Sequence, residues 1–312
     1  MIMEFCGVRY NYAHFPRKTP KEELKVSYKI ITDSACDIKK EALNEWGVAS
    51  LDLSFRFDGE DKIYKNSDMT TEEFYKKMKD GGVAKTSAVN PDAFTEAFDL
   101  ILKSGEDVLY IGFSSGLSTT FNSARIAKEG LIESYPERRI ELVDTLAASA
   151  GEGLLVYLAA KRRDEGASLD EVKAYIENAK LGLGIWFTVD DLVYLKRGGR
   201  ISAASAFFGN MLGIKPILHM DETGHLVAMQ KVRGRRTAID TLIKKIEDTA
   251  TDNKTCPIFI SHAGCPAEVE AMEATLNARL GRGFTHVTEI GPVIGSHAGP
   301  GTVAVFFPAS ER

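Results

Sequence analysis

The sequence predicts an α/β protein in two parts: a parallel sheet covered by helices on both faces, then a mixed α/β region. Three observations carry that prediction. From Tyr28 to Arg162, short runs of β-forming apolar residues alternate with helical segments, the pattern of a parallel sheet with helical crossovers. Two capping boxes, Thr70-x-x-Glu73 and Ser168-x-x-Glu171, mark helix starts. The polar stretch Asp164-Glu165-Gly166 precedes the second box, and beyond it the regular alternation gives way to a hairpin pattern. These signals divide the chain into an extension (residues 1–27), a first α/β domain (28–165) and a second (166–312).

In chain order, Tyr28–Thr32 reads as a strand, Asp33-Ser34 as a turn, and Ile38–Trp46 as a helix stopped by Gly47. Val48–Phe57 alternates as a strand does, and Asp58-Gly59 turns the chain. The helix opened by Thr70 ends at Gly81-Gly82, and Val83–Ser87 is extended. Asn90-Pro91 supplies an N-cap and an N1 proline for a helix ending near Gly105. Val108–Phe113 is a buried strand, followed by a helix to about Gly130. Arg139–Val143 is a strand and Leu146–Arg162 a long apolar helix. In the second part, Ile185–Val189 is a strand and Asp190–Arg197 a short helix, leading to a basic glycine loop at Lys196–Arg200. Ile214–Met220 and His225–Val232 flank Asp221-Glu222-Thr223-Gly224 as a hairpin. A helix from Thr237, a strand at Pro257–Ser261, a helix at Pro266–Leu280 and two further strands follow, with Gly295–Gly301 as the loop between those two.

Composition narrows the function. The apolar fraction of 44% and charged fraction of 27% are those of a globular protein. A net charge of −5 argues against nucleic-acid binding, which needs basic surface. No apolar run reaches the length of a membrane span. Cys6, Cys36, Cys256 and Cys265 lack C-x-x-C spacing, which points away from a zinc site or disulfide framework and toward a reducing cytoplasm. In Met1–Ser27, apolar residues are broken by Glu4, Arg9, Asn11 and His14, unlike a secretory signal, and Pro16 and Pro20 suggest a loose arm.

The chemistry centres on Asp107–Ala127, DVLYIGFSSGLSTTFNSARIA. A strand feeding the turn Ser114-Ser115-Gly116-Leu117-Ser118-Thr119-Thr120 at a helix N-terminus offers backbone N–H groups and hydroxyls to an anion, phosphate or carboxylate. A Ser/Thr-capped helix without a ligand shows the same local pattern. Gly112-Phe113-Ser114-Ser115-Gly116 also fits G-x-S-x-G, the strand–turn–helix elbow of serine hydrolases. Asp144, Asp190 or Asp191, and His262 or His297 could complete an esterase triad, although no H-G-G-G-type oxyanion segment precedes the elbow. A phosphate-binding or phosphotransfer protein is a third class consistent with the turn.

Several stretches, in order, resemble the DegV family of bacterial fatty-acid-binding proteins. They are Thr32-Asp33-Ser34-Ala35-Cys36-Asp37, Lys85-Thr86-Ser87, Ser114–Thr120, Tyr194-Leu195-Lys196-Arg197-Gly198-Gly199-Arg200-Ile201, Gly213-Ile214-Lys215-Pro216-Ile217 and His297-Ala298-Gly299-Pro300-Gly301. The resemblance covers the chain from Tyr28 onward. It implies two α/β domains with one long-chain fatty acid between them, in a carrier rather than a catalyst, with no cofactor. It further implies a fatty acid kinase as partner, which converts the presented acid to an acyl phosphate for phospholipid synthesis. Carried over by position, Thr86 and Ser118 resemble the hydroxyls that hold the carboxylate, His297 the ring that completes the polar end, and Arg233 a nearby arginine. Ser87, Ser115 and Thr119 are secondary candidates. Lys196, Arg197 and Arg200 are expected to dock the kinase. The sequence departs from the family pattern at Thr119, where glycine is usual, at Ala298 in the S-H-T-G-P-G loop, and at Ala88-Val89, where Gln-Pro is usual.

Overall fold

The structure, a computed structural model, describes residues 3–5, 8–10, 27–201, 213–310 and 312. The expected arm at residues 1–27 falls mostly outside them. Within it, β1 (Met3–Phe5) and β2 (Val8–Tyr10) pair antiparallel.

The first part is built on a four-stranded parallel sheet of order β4-β3-β8-β9: β3 (Tyr28–Asp33), β4 (Val48–Leu51), β8 (Asp107–Gly112) and β9 (Ile140–Asp144). Every residue of β8 is buried, as befits a strand covered on both faces. The α3 (Pro91–Lys103) and α4 (Thr120–Leu131) helices pack on β8 and β9. The α5 helix (Ala150–Asp164) contacts β3 and β8 on one side and the strands of the second sheet on the other, and Ala150–Val156 is buried throughout. Small residues make this double contact possible: a methyl group at Gly151 would stand 2.7 Å from the Phe306 ring. The α1 helix (Lys40–Glu45) follows β3 after a short 3-10 turn.

The expected single strand Val48–Phe57 is two. The chain leaves the parallel sheet at Asp52-Leu53, where Leu53 N donates to Ser34 Oγ (2.9 Å) and Asn66 N donates to Leu53 O (3.0 Å). Beyond that break, β5 (Ser54–Phe57), β6 (Tyr64–Lys65) and β7 (Ala84–Ser87) form a separate antiparallel sheet of order β6-β5-β7. The α2 helix (Thr71–Lys79) lies between β6 and β7 in sequence, and its Phe74, Tyr75 and Met78 share a core with Phe55 and Phe57. Both capping boxes form with their two reciprocal hydrogen bonds.

The expected boundary at residues 164–166 falls at the end of α5. Beyond it, α6 (Leu169–Ala179) packs on α5 and β9, and its Leu169, Val172 and Ile176 join the core of the parallel sheet. The second sheet has order β12-β11-β10-β15-β13-β14: β10 (Leu183–Thr188), β11 (Ile214–Met220), β12 (Leu226–Arg233), β13 (Phe259–His262), β14 (His286–Glu289) and β15 (Val303–Pro308). Among its six described strands, β13 and β14 pair in parallel and the other neighbours are antiparallel. The hairpin β11–β12 has the predicted turn, and α9 spans the predicted Pro266–Leu280. The α8 helix (Arg235–Thr249) packs with α9 and this sheet around Leu242, Ile246, Ile258 and Phe307.

The expected short helix over Asp190–Arg197 is present over Val193–Gly198, and one expected loop is partly helical. The basic segment enters α7 (Val193–Gly198), which Gly199 terminates in the left-handed conformation. The expected loop after Gly295 begins as α10 (Pro292–Ala298), with Pro292 at its first position. That short helix is packed nearly all round, with Pro292, Val293, Gly295, Ser296 and Ala298 buried, so its sequence carries no amphipathic period.

Candidate functional site

A cavity of about 380 Å³ lies at the carboxyl ends of the parallel strands, beneath the second sheet. Leu53 follows β4, Phe113 follows β8 and Ala148 follows β9, so the lining begins where open α/β sheets receive ligands. Ile185, Phe187, Met220, Leu226, Ala304 and Phe306 of the second sheet supply an apolar wall. Val293, Ile294, His297 and Ala298 of α10 close another side. The size and the apolar lining with one polar end are those of a small-molecule site.

Thr86, Ser118 and His297 all line the cavity, and Thr86 and His297 meet there. Thr86 is brought there by β7, Ser118 by the turn after β8 and His297 by the last turn of α10. Thr86 Oγ1 lies 2.8 Å from His297 Nε2, a contact spanning 211 residues of sequence. Ser118 Oγ lies 2.9 Å from Thr120 Oγ1 and accepts from Thr120 N at 3.2 Å. Ser87, Ser115 and Thr119 also line the cavity. Thr119 occupies the N-cap position of α4 without a side-chain capping bond, a role its neighbour Ser118 takes. Ala88 and Ala298, two departures from the family pattern, both lie on the cavity wall.

Four backbone donors of the turn are taken up within the fold. Ser115 N donates to Asp144 Oδ1 (3.2 Å), Gly116 N to Ser114 Oγ (3.2 Å), and Leu117 N and Ser118 N to Ser114 O (3.1 and 3.2 Å). With these four donors satisfied internally, the hydroxyls, the remaining N–H groups at the start of α4 and the cationic neighbour are left to meet an anion.

The arginine that lines the cavity is Arg200. Arg233 is exposed at the end of β12, opposite Ile214, and does not line the cavity. Arg200, expected on a docking loop, turns inward: its Nε donates to Leu117 O (3.1 Å) and its Nη1 to Gly198 O (2.6 Å), and it lines the cavity. Lys196 and Arg197 remain exposed in the last turn of α7, with the Arg197 guanidinium 5.7 Å from the Tyr194 ring centre. Burial, with the charge of Arg200 beside it, pushes His297 down to about 4, so the ring is neutral at neutral pH. Its Nδ1 is buried without a hydrogen-bond partner.

Three buried acids behind the site escaped the reading of single residues. Asp33 fixes the end of β8: Oδ2 accepts from Tyr110 OH (2.6 Å) and Phe113 N (3.1 Å), and Oδ1 from Ala35 N (3.0 Å). Burial nonetheless raises its pKa. Glu152 is raised well above the ordinary range by burial, with Thr32 Oγ1 donating to one oxygen (2.9 Å) and the other unpartnered. Asp37 joins the two sheets' surroundings, accepting from Ser149 Oγ (2.6 Å) and from Gly291 N (2.9 Å) at the start of α10. Burial raises it to about 7. Ser149, on the cavity wall, holds φ 54 and ψ −147, a conformation L-residues avoid, under the restraint of Ala35 O, Asp37 and Ser261. The signal for Asp33 was present in Asp-Ser after a strand, an Asx-turn pattern.

The esterase triad does not assemble. Ser114 is fully buried and its hydroxyl donates to Gly224 O (2.9 Å). His262 Nδ1 accepts from Cys265 N (3.2 Å), and His297 faces Thr86. Among the described residues no cluster of His, Cys, Asp and Glu could hold a metal ion, and no helix is long and apolar enough to cross a membrane.

Fold and site together define a class: a parallel α/β sheet and a mixed six-stranded sheet enclosing an apolar chamber with one hydroxyl-and-histidine end. The model of the DegV family, described as "Uncharacterised protein, DegV family", matches residues 27–310, and the chain belongs to that family. A DegV domain-containing protein of Clostridium perfringens is 40% identical over 279 residues, 89% of this chain and 96% of its own. A DegV family protein of Thermus thermophilus, described by its fatty acid binding, superimposes with TM-score 0.80 at 30% identity, covering 91% of this chain and 100% of its own. DegV of Bacillus subtilis, described as a fatty acid binding protein, gives TM-score 0.79 at 27% identity over 91% and 100% of the two chains.

Proposed function

We propose that the protein holds a long-chain fatty acid in this cavity and presents its carboxylate to a fatty acid kinase, for conversion to an acyl phosphate that enters phospholipid synthesis. It acts as a cytoplasmic carrier, without a cofactor and without a catalytic step of its own. The observation that carries this reading is one largely apolar cavity of about 380 Å³ that Thr86, Ser118 and His297 all line, with Thr86 Oγ1 2.8 Å from His297 Nε2. Family members described as fatty acid binding proteins support it.

The chemistry is sufficient. Hydroxyl donors and a neutral imidazole satisfy a carboxylate, and Arg200 supplies a charge nearby. Burying the tail yields ~0.8 kcal/mol per methylene, on the order of 10 kcal/mol gross for a ~16-carbon chain, from which ordering costs are subtracted. Lys196 and Arg197, exposed beside the polar end, dock an acidic face of the kinase. Mass spectrometry of an organic extract of the purified protein tests the ligand: one fatty acid per chain is expected, and a lipid-free extract together with no uptake of added palmitate would refute it. With the cognate kinase, Lys196→Glu should slow acyl phosphate formation and leave palmitate affinity unchanged. Unaltered rates would remove the docking role.

A further inference from the structure

The stretch Thr32-Asp33-Ser34-Ala35-Cys36-Asp37 opens the family pattern, yet none of its residues lines the cavity. The side chains of Asp33, Ser34 and Asp37 nevertheless each end on a residue that does. Asp33 Oδ2 accepts from Phe113 N (3.1 Å) and Ser34 Oγ from Leu53 N (2.9 Å). Asp37 Oδ2 accepts from Ser149 Oγ (2.6 Å). Phe113, Leu53 and Ser149 all stand on the cavity wall. A further connection runs to α10, where Asp37 Oδ1 accepts from N of Gly291, the residue before the helix (2.9 Å). Asn66 repeats that link one step on: its Nδ2 donates to Ser34 O (3.3 Å) and its Oδ1 accepts from Val293 N (2.9 Å). The seat is close. A methyl group at Gly291 would stand 2.9 Å from Asp37 Oδ1 and 2.8 Å from Asn66 Nδ2, and one at Gly295 would stand 2.5 Å from the Tyr75 hydroxyl. His297 lies in the last turn of this helix, so the place of its ring beside Thr86 follows from where the helix begins.

We propose that this motif is the positioning frame of the fatty-acid site, and that Asp37, by holding the start of α10, sets His297 against Thr86. This rests on the fatty-acid reading above. Such a frame acts on the head group more than on the tail. Apolar contact is non-directional and tolerates a small drift of the wall. The 2.8 Å contact between His297 and Thr86 tolerates only a few tenths of an ångström. With the Asp37 anchor gone, Val293 and Ile294 of α10 keep most of their contact with a tail while the ring leaves its place. Asp37 is thus a positioning residue, acting through the helix and touching no ligand. Its backbone is left-handed, φ 53, a conformation that glycine and asparagine adopt without strain.

The test compares two ligands with one tail and different heads, palmitate and hexadecanol, titrated into delipidated protein. The ratio of their affinities is read, because partial unfolding lowers both alike. In Asp37→Gly the preference for palmitate should fall about tenfold, with hexadecanol within about threefold of wild type. Asp37→Asn keeps an acceptor for Gly291 N and offers a donor to Ser149 Oγ, so it should restore the preference. Should Asp37→Gly fail to fold, Asn66→Ala removes the half-buried second anchor, and the same ratio should fall at least about threefold. An unchanged ratio in the folded variants would overturn the frame, and so would Asp37→Asn behaving as Asp37→Gly does. Wild-type protein that takes up no palmitate would refute the fatty-acid reading, whereas wild-type uptake with an unchanged ratio in the variants would refute this proposal alone.

Discussion

Gly198→Ala perturbs the head-group end without replacing a ligand-binding side chain. Gly198 is the last residue of α7 and does not need a positive φ, so alanine brings no backbone strain. Its methyl group would stand 2.1 Å from His297 Nδ1 and 3.1 Å from Cε1. Ordinary contact begins near 3.4 Å, so the ring must retreat by about 1.3 Å. The 2.8 Å bond from His297 Nε2 to Thr86 tolerates only a few tenths of an ångström. Breaking it while leaving buried polar atoms unmet costs about 1–3 kcal/mol, or roughly 5- to 150-fold in affinity. Helix propensity works the other way, since alanine replaces glycine with a gain of at most ~1 kcal/mol. The expected result is weakened palmitate binding by calorimetry, with the melting temperature of the delipidated protein lowered by the small excess of the lost bond over the helix gain. Wild-type affinity in a normally melting variant would show that His297 does not hold the head group.

Ser118→Ala and Thr86→Ala should each weaken fatty-acid binding by about 1–3 kcal/mol, and the double variant by less than the sum, because both hydroxyls serve one carboxylate; displacement of a fluorescent lipid measures all three. Asp37 stands near 7 when folded against an ordinary 3.8, so between those values the native state binds more protons and stability falls as pH rises, by up to about 4 kcal/mol. Asp33 and Glu152 are raised in the same direction. In Asp37→Asn, which suits φ 53, denaturant midpoints measured from pH 4 to 8 should show a flatter fall than wild type; parallel curves would refute the assignment. His297, held near 4, contributes the opposite slope: its unfolded form binds more protons between pH 4 and 6.5, so its contribution to stability rises across that window. Loss of that rise in His297→Gln is the check. Ser114 should resist fluorophosphonate labelling, and Ser114→Ala should leave ester hydrolysis at background; intact mass and a chromogenic ester report both.

Where the chemistry is local, the chain was legible. Asn90-Pro91 and the two capping boxes act within four residues, and each helix starts where they place it. Pro266–Leu280 begins on a proline and ends on a left-handed glycine, so its limits follow from the backbone alone. Val48–Phe57 misled because both halves alternate, while the break between them is made by Ser34 and Asn66, distant in sequence. The α10 helix was hidden because burial on nearly every side removes the period that betrays a helix. At the site, no local pattern joins Thr86 to His297; family resemblance put them together. The same resemblance favoured Arg233, whereas the inward turn of Arg200 depends on carbonyls of Leu117 and Gly198 that only the folded chain brings within reach.

The place of β15 has a consequence for synthesis. It lies in the middle of the six-stranded sheet, antiparallel to β10 on one side and β13 on the other. Residues 183–188 and 259–262 therefore leave the ribosome with no partner between them and wait for residues 303–308. Until then both strands present open edges, the state most exposed to wrong pairing. Ala304 and Phe306 are also walls of the cavity, so the chamber cannot close around a lipid before that strand is threaded home. Loading belongs to the last moments of folding, and a chain stalled ahead of residue 303 should bind no fatty acid while remaining prone to aggregate.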